Sequence, residues 1–381
     1  MKKLLLILLI VSQVAPELCF AQKKVTTKTY DLLVGTYTSR NGSKGIYVYR
    51  FDMETGKGTY LSEIDDVDNP SYLVVSADSK FVYAANETPG NRPGGVSAFK
   101  FDVKTGKLDS LNKQLGGGGP AYIAVDKARK NVLVANYGGG NLTVYPVNKD
   151  GSLGPVSQKI QDEGSSINKA RQQGPHVHTA MLSPDEKYLF YTDLGTDKIN
   201  IYNYKASANP PLTPAATPFV SAIAGNGPRH LAFSPNGKFL YNIQEMGSAI
   251  TAYKYDDGKI TAIQTVSMLA EGFTGQVGAA DIHVSPDGMF VYGTNRGSAN
   301  EIVAYSINQK TGELTFVERN KVGRAPRNFI IDPSGAYLLV ANQDSNSILI
   351  YKRDIATGKL TLTDNKIDVA KPVCLKLVAV D

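Results

Sequence analysis

Arg229 and Glu245 lie 16 residues apart in GPRHLAFSPNGKFLYNIQE, and Arg296 follows Glu245 by 51 residues in VYGTNRG. A carboxylate beside guanidiniums can serve as a general base whose neighbours stabilise an oxyanion or hold an anionic substrate group. The same grouping also occurs as a plain surface ion pair. All four histidines, His176, His178, His230 and His283, begin apolar runs of one kind. An imidazole exchanges its proton near neutral pH, so a histidine at a polar mouth suits acid/base work; His176 and His283 fit a structural, hydrogen-bonded role equally well. His176-x-His178 has a spacing that a metal could use, but no third ligand with a clear carboxylate partner accompanies it. No metal and no other cofactor is expected. Gly116–Gly119 precedes Pro120 with no helix after it, so it reads as a linker and not as a phosphate cradle.

The elements that must position these groups repeat. Six segments start at a turn residue, Ser76, Asp126, Ser183, Ser234, Ser285 and Asp332, with spacings of 50, 57, 51, 51 and 47 residues. Ten residues after each start comes a short polar side chain: Asn86, Asn136, Asp193, Gln244, Asn295 and Asn342. Around Ser234 the text predicts four short strands: HLAF, FLYNIQ, AITAYKY and, after an Asp257-Gly258 turn, KITAIQTV. Period-two alternation and the Asp-Gly turn are hairpin signals. Four strands about every 51 residues predict an all-β fold, a seven-bladed β-propeller of four-stranded antiparallel blades. The seventh blade is split: LLVGTYT and GIYVYRFD supply its second and third strands and PVCLKLVAV its first. The N- and C-terminal strands thus close the ring and leave no free edge.

Strand rise then sets heights. Five residues before the turn and ten or eleven after it return to the same face. The positions five before are Ser71, Ala121, His178, Arg229, Ala280, Arg327 and Val373; those eleven after include Tyr37, Glu87, Tyr137, Glu245 and Arg296. The residue ten after the turn hardly varies, which suits a structural cap. The mouth positions vary from blade to blade, and no shared structural duty explains them. His178, Arg229, Glu245 and Arg296 are the expected catalytic set, with Arg327, His176, His230 and Glu87 expected to bind substrate. Glu87 is followed by Pro89 and Pro93, so a solvated carboxylate is its alternative.

The 381-residue chain carries a net charge of +6, with Lys+Arg 41 and Asp+Glu 35 intermixed. No basic stripe marks a nucleic-acid partner. Lys2 and Lys3 precede a short apolar run and Ala21, the pattern of an export signal over residues 1–21. Its removal leaves one cysteine, Cys374, and no internal disulfide. Cys19 follows bulky Leu18, which suits lipoprotein processing badly. No later run is long enough to cross a membrane. A periplasmic or secreted monomer is expected, its propeller covering residues 22–381.

GTYT at Gly35, GPAYIAVD at Gly119, GPHVHTAMLSPDEKYLF at Gly174 and GNGPRHLAFSPNGKFLYNIQE at Gly225 resemble the seven-bladed propeller lactonase family. IHVSPDGMFVYGTNRG at Ile282 and APRNFIIDPSGAYLLVANQ at Ala325 continue the likeness over nearly the whole chain. The family comprises bacterial propeller-type 6-phosphogluconolactonases and the related fungal carboxy-muconate cyclase. The resemblance implies cofactor-independent lactone hydrolysis, with the family's His, Arg, Glu and second Arg falling on His178, Arg229, Glu245 and Arg296, and its PRxF arginine on Arg327. The family's sugar-phosphate enzymes are cytosolic, whereas this chain opens with an export signal. Glu245 is expected to deprotonate water, Arg229 and Arg296 to stabilise the oxyanion, and His178 to protonate the leaving ring oxygen. A cycloisomerase closing a lactone on an unsaturated diacid needs the same groups, and an exported binding propeller needs none of them.

Overall fold

Serine and aspartate recur at the turns because the chain there has a backbone N–H to satisfy. Ser234 Oγ donates to Asn236 Oδ1 at 2.7 Å and accepts from the Phe239 N–H at 2.9 Å. Asp126 accepts the corresponding N–H of Asn131 at 2.9 Å, and Asp332 that of Tyr337 at 2.6 Å. The turn residue three positions on is left-handed, with φ 57° at Ser79 and 67° at Gly237. Asp257 and Gly258 have φ 39° and 83°, the two left-handed residues of a tight hairpin turn.

The computed structural model describes residues 28–40, 42–88 and 94–380. The expected export segment, Cys19, Pro89 and Pro93 lie outside the described residues. The described residues form seven four-stranded antiparallel sheets and no α-helix. Blades 1 to 6 span residues 70–116, 120–161, 177–221, 228–267, 279–321 and 326–368. Blade 7 joins Pro372–Ala379 to Thr29–Thr36, Ile46–Asp52 and Lys57–Ile64. Leu32 faces Leu377 and Gly35 faces Cys374 across that closure. In each blade the first strand is innermost and touches the innermost strands of the two neighbouring blades, which makes the ring.

Apolar faces pack between blades. In blade 4, Tyr241, Ile243 and Ile250 face blade 5, where they meet Ile282, Val291 and Val303. Leu240 and Tyr253 face blade 3, against Phe190 and Ile199. Strands buried on both sides need apolar residues at nearly every position, which explains runs such as FLYNIQ. Outermost strands such as Lys259–Ser267 are mostly exposed, with buried or partly buried residues on the side that packs.

One irregularity positions the site. In blade 1 Pro70 pairs with Asn86, but Tyr72 pairs with Ala85, so Ser71 has no partner. The same slip isolates Ala121, His178, Arg229, Arg327 and, in blade 7, Val373. In blade 5 it spans Ala280 and Asp281. A β-bulge of this kind kinks the strand and re-aims the extra side chain. These are the residues five before the turn. Their common height at one face therefore has a definite backbone cause that strand arithmetic does not contain.

Candidate active site at the channel mouth

Glu245 leaves the second strand of blade 4, its N–H bonded to Gly227 O at 2.8 Å. Its Oε2 accepts from Arg229 Nε at 2.9 Å and lies 3.1 Å from Arg296 Nη2; its Oε1 accepts from Arg171 Nη2 at 2.8 Å. Arg229 also donates to Ala280 O, and Arg296 Nε donates to Gly278 O at 2.9 Å. A backbone bond from Ala279 N to Glu245 O, 3.0 Å, ties blades 4 and 5 at this point. Burial alone would raise the Glu245 pKa. Arg296, Arg229 and Arg171 reverse that and hold it well below the ordinary carboxylate range. Burial, then repulsion from Arg296 and Arg327, pushes Arg229 down, while contact with Glu245 favours its charged form.

His178 is buried beside this cluster. Its ring meets Tyr137 edge-on at 5.6 Å and His230 at 5.1 Å, and its Nδ1 has no hydrogen-bond partner among the described residues. Burial, then the charges of Arg229, keeps its pKa well below 6.5, so it is neutral at pH 7. A proton delivered by His178 must therefore first reach it from another group. On the far side of the mouth Tyr37 donates its hydroxyl to Glu87 Oε2 at 2.7 Å; Arg327 stands 3.6 Å from that oxygen and 5.1 Å from the Tyr37 ring. Glu87 is thus paired, not simply solvated.

Two expected substrate contacts sit differently. His176 precedes its strand and stacks on Tyr137 at 4.4 Å, with Nδ1 3.0 Å from Tyr137 O, so it braces the rim. His230 is buried next to Arg229 and His178, and lines the same cavity as Arg229 and Arg327. Its Nδ1 meets Asp281 Oδ1 at 2.8 Å and its Nε2 faces Arg229 Nη1 at 3.3 Å. After the unpaired Arg229 the ladder resumes, with His230 opposite Ile243. Asp281 also accepts from His283 Nε2 at 3.0 Å and from Phe329 N at 3.2 Å. Among the described residues no three His, Cys, Asp or Glu side chains are grouped as a metal site.

Arg171 and Asp281 were not expected. Arg171 rides on the connection between blades 2 and 3, whose excess length was visible as the 57-residue spacing among values of 47–51. Asp281 carries no signal in the repeat, because its partners come from blades 4, 5 and 6. Four guanidiniums, Arg171, Arg229, Arg296 and Arg327, face two carboxylates, Glu87 and Glu245. With His178 neutral, the mouth favours an anionic ligand.

A closed seven-bladed ring that gathers carboxylate, imidazole and guanidinium groups at one channel mouth defines a β-propeller with a charged site on its axis. The chain belongs to the seven-bladed β-propeller lactonase family, whose sequence model matches residues 31–377. It is 37% identical over 349 residues to a Bacillus subtilis protein named 6-phosphogluconolactonase, covering 91% of this chain and 97% of the relative. A Formosa agariphila protein of the same name is 36% identical over 332 residues, 86% of this chain and 94% of the relative. The solved structure of the Pseudomonas aeruginosa periplasmic gluconolactonase superposes with a TM-score of 0.87 at 36% identity, covering 93% of this chain and all of that one (100%).

Proposed function

We propose that this protein hydrolyses a sugar lactone at the channel mouth, outside the cytoplasm. The observation that carries the chemistry is the convergence of Arg171, Arg229 and Arg296 on the buried carboxylate of Glu245, beside a neutral His178. The named activities of the relatives support the substrate class. The lysine-led apolar start at residues 1–21 and the periplasmic location of the Pseudomonas gluconolactonase support export.

In this mechanism the lactone carbonyl oxygen faces the guanidinium donors, which stabilise the oxyanion as water adds. Glu245 takes the proton from that water. His178 enters neutral and carries the proton onward to the ring oxygen as the ring C–O bond breaks. One water O–H bond and one ring C–O bond are broken; a new acyl C–O bond and a hydroxyl on the former ring oxygen are formed. Arg327, Glu87 and Tyr37 form the opposite wall and orient the sugar.

The test is hydrolysis of glucono-δ-lactone and of its 6-phosphate by the purified protein, each corrected for spontaneous opening. Turnover of at least one is expected. No turnover of either removes the reading. Export is checked by N-terminal sequencing of the protein from a producing cell: a chain starting at Gln22 is expected, and one retaining Met1 or Lys2 contradicts it.

A further inference from the structure

The connection 162–176 places a guanidinium over the mouth by a device found in neither neighbouring element. Its turn is closed by Arg171 N to Asn168 O at 3.1 Å and Gln172 N to Asn168 O at 2.7 Å. Gln172 is fully buried and bolts the turn down, its Nε2 donating to Leu194 O and to Asp197 Oδ2, both at 2.8 Å. The neighbouring Arg171 is the opposite case. Its side chain is 44% exposed, against 2% for Arg229 and 18% for Arg296.

The three guanidiniums on Glu245 also differ in their other bonds. Arg229 donates to the carbonyl of Ala280, and Arg296 to those of Gly278 and Ala279, so backbone at the first strand of blade 5 fixes both. Beyond Glu245, the Arg171 guanidinium has among the described residues only the Tyr137 hydroxyl, at 3.1 Å. Only the Arg171 side of this pair is open to solvent, so water can replace its contacts more easily than those of Arg229 or Arg296. A phosphate or carboxylate offers the same planar fork a better, bidentate partner. Glu245 meanwhile is faced by Arg171 from the connection, Arg229 from its own blade, Arg296 from blade 5 and Arg327 from blade 6, beside neutral His178. With every guanidinium in place it is a weak base.

We propose that Arg171 is a removable clamp: it rests on Glu245 in the empty site, transfers to a second anionic group on the bound lactone, and by leaving frees Glu245 to take the proton from water. The proposal rests on the lactonase reading and adds to it a coupling between substrate charge and base strength. The anchored turn and the exposed side chain allow the transfer without moving any blade. A lactone lacking a second charge cannot draw the clamp away and reacts at the clamped site.

The test compares wild type with Arg171→Gln on glucono-δ-lactone and its 6-phosphate. Loss of one charge-assisted bond to the phosphate should raise KM for the phosphorylated lactone at least about 10-fold. Without its clamp Glu245 is a stronger base, so kcat for the plain lactone should rise. The preference for the phosphorylated lactone therefore falls. A merely structural role lowers both activities alike, and an unchanged preference overturns the proposal. A second arm adds inorganic phosphate to the plain-lactone assay. Phosphate should stimulate wild type and leave Arg171→Gln unaffected; stimulation surviving in the variant overturns the clamp. Wild type that turns over neither lactone defeats the lactonase reading together with the clamp. Activity with an unaltered preference, or activity on the plain lactone alone, defeats the clamp and leaves the lactonase reading in place.

Discussion

The same innermost strands run between the two faces of the ring, and their ends are used differently. At the turn face Ser76, Ser183, Ser234 and Ser285 each accept the N–H of the residue five positions on, and Asp126 and Asp332 do so with a carboxylate. At the mouth face every blade has a bulge at the same place, two residues long in blade 5, yet the residues five before the turn are Ser71, Ala121, His178, Arg229, Ala280, Arg327 and Val373. Where a side chain completes a backbone hydrogen bond, the geometry restricts it to Ser or Asp. Where the backbone is satisfied without it, the side chain is released for chemistry. Repetition therefore marks the scaffold, and departure from it marks the site.

Substitutions at the two faces should separate stability from activity. Arg229→Met should have the largest effect, because it leaves Glu245 buried with one partner fewer. Breaking a buried pair typically costs about 3–5 kcal/mol, so thermal unfolding should show a large drop in Tm together with loss of lactone turnover. An Arg229→Met protein with unaltered Tm would mean that the ion cluster is not part of what holds blades 4 and 5 together. Glu245→Gln comes next. It should lower kcat by at least about 10²-fold, within the usual contribution of a general base, and steady-state kinetics on the preferred lactone would show it. An unchanged kcat would take Glu245 out of the mechanism.

Acid should weaken the mouth before it affects the turns. Burial, then the charge of Arg229, lowers His230 to about 4 from 6.5. The unfolded chain takes up this proton below pH 6.5 and the folded one only near 4, so the contribution to stability is complete above 6.5 and declines as pH falls toward 4. The slope is at most about 1.4 kcal/mol per pH unit for one proton. Glu245, held below its ordinary 4.5, adds a separate loss below that pH. Denaturant unfolding between pH 4.5 and 6.5 should show the upper slope in wild type and a flatter one in His230→Gln. Equal slopes would shift the effect to other groups. The smallest change is expected at the turn face. Ser234→Ala removes the acceptor for the Phe239 N–H and should cost about 1 kcal/mol in denaturant unfolding, with kcat as in wild type. A fall in kcat would break the division between the two faces.

Much of this molecule was legible before folding. The recurring turn residues, the strand alternation and the split seventh unit are local patterns, and local patterns specify hairpins and their number. Counting residues from each turn also brought His178, Arg229, Glu245, Arg296, Arg327 and Glu87 to one face. Three features escaped that counting. Arg171 belongs to a connection outside the repeat, where no register assigns a height. Asp281 acts through side chains of three blades. His230 was given no height by that counting, and its partner Asp281 comes from the next blade.

The chain by itself determined the ring, its closure by the N- and C-terminal strands and which positions counted from each turn return to one face, because these follow from hydrogen-bond periodicity and from apolar faces that must be covered. Which groups touch was decided only when seven blades met around one axis. Distances between side chains of different blades depend on the packing of whole sheets. So do the ionisation states, since the low pKa of Glu245 and the neutrality of His178 come from burial and from guanidiniums contributed by distant parts of the sequence.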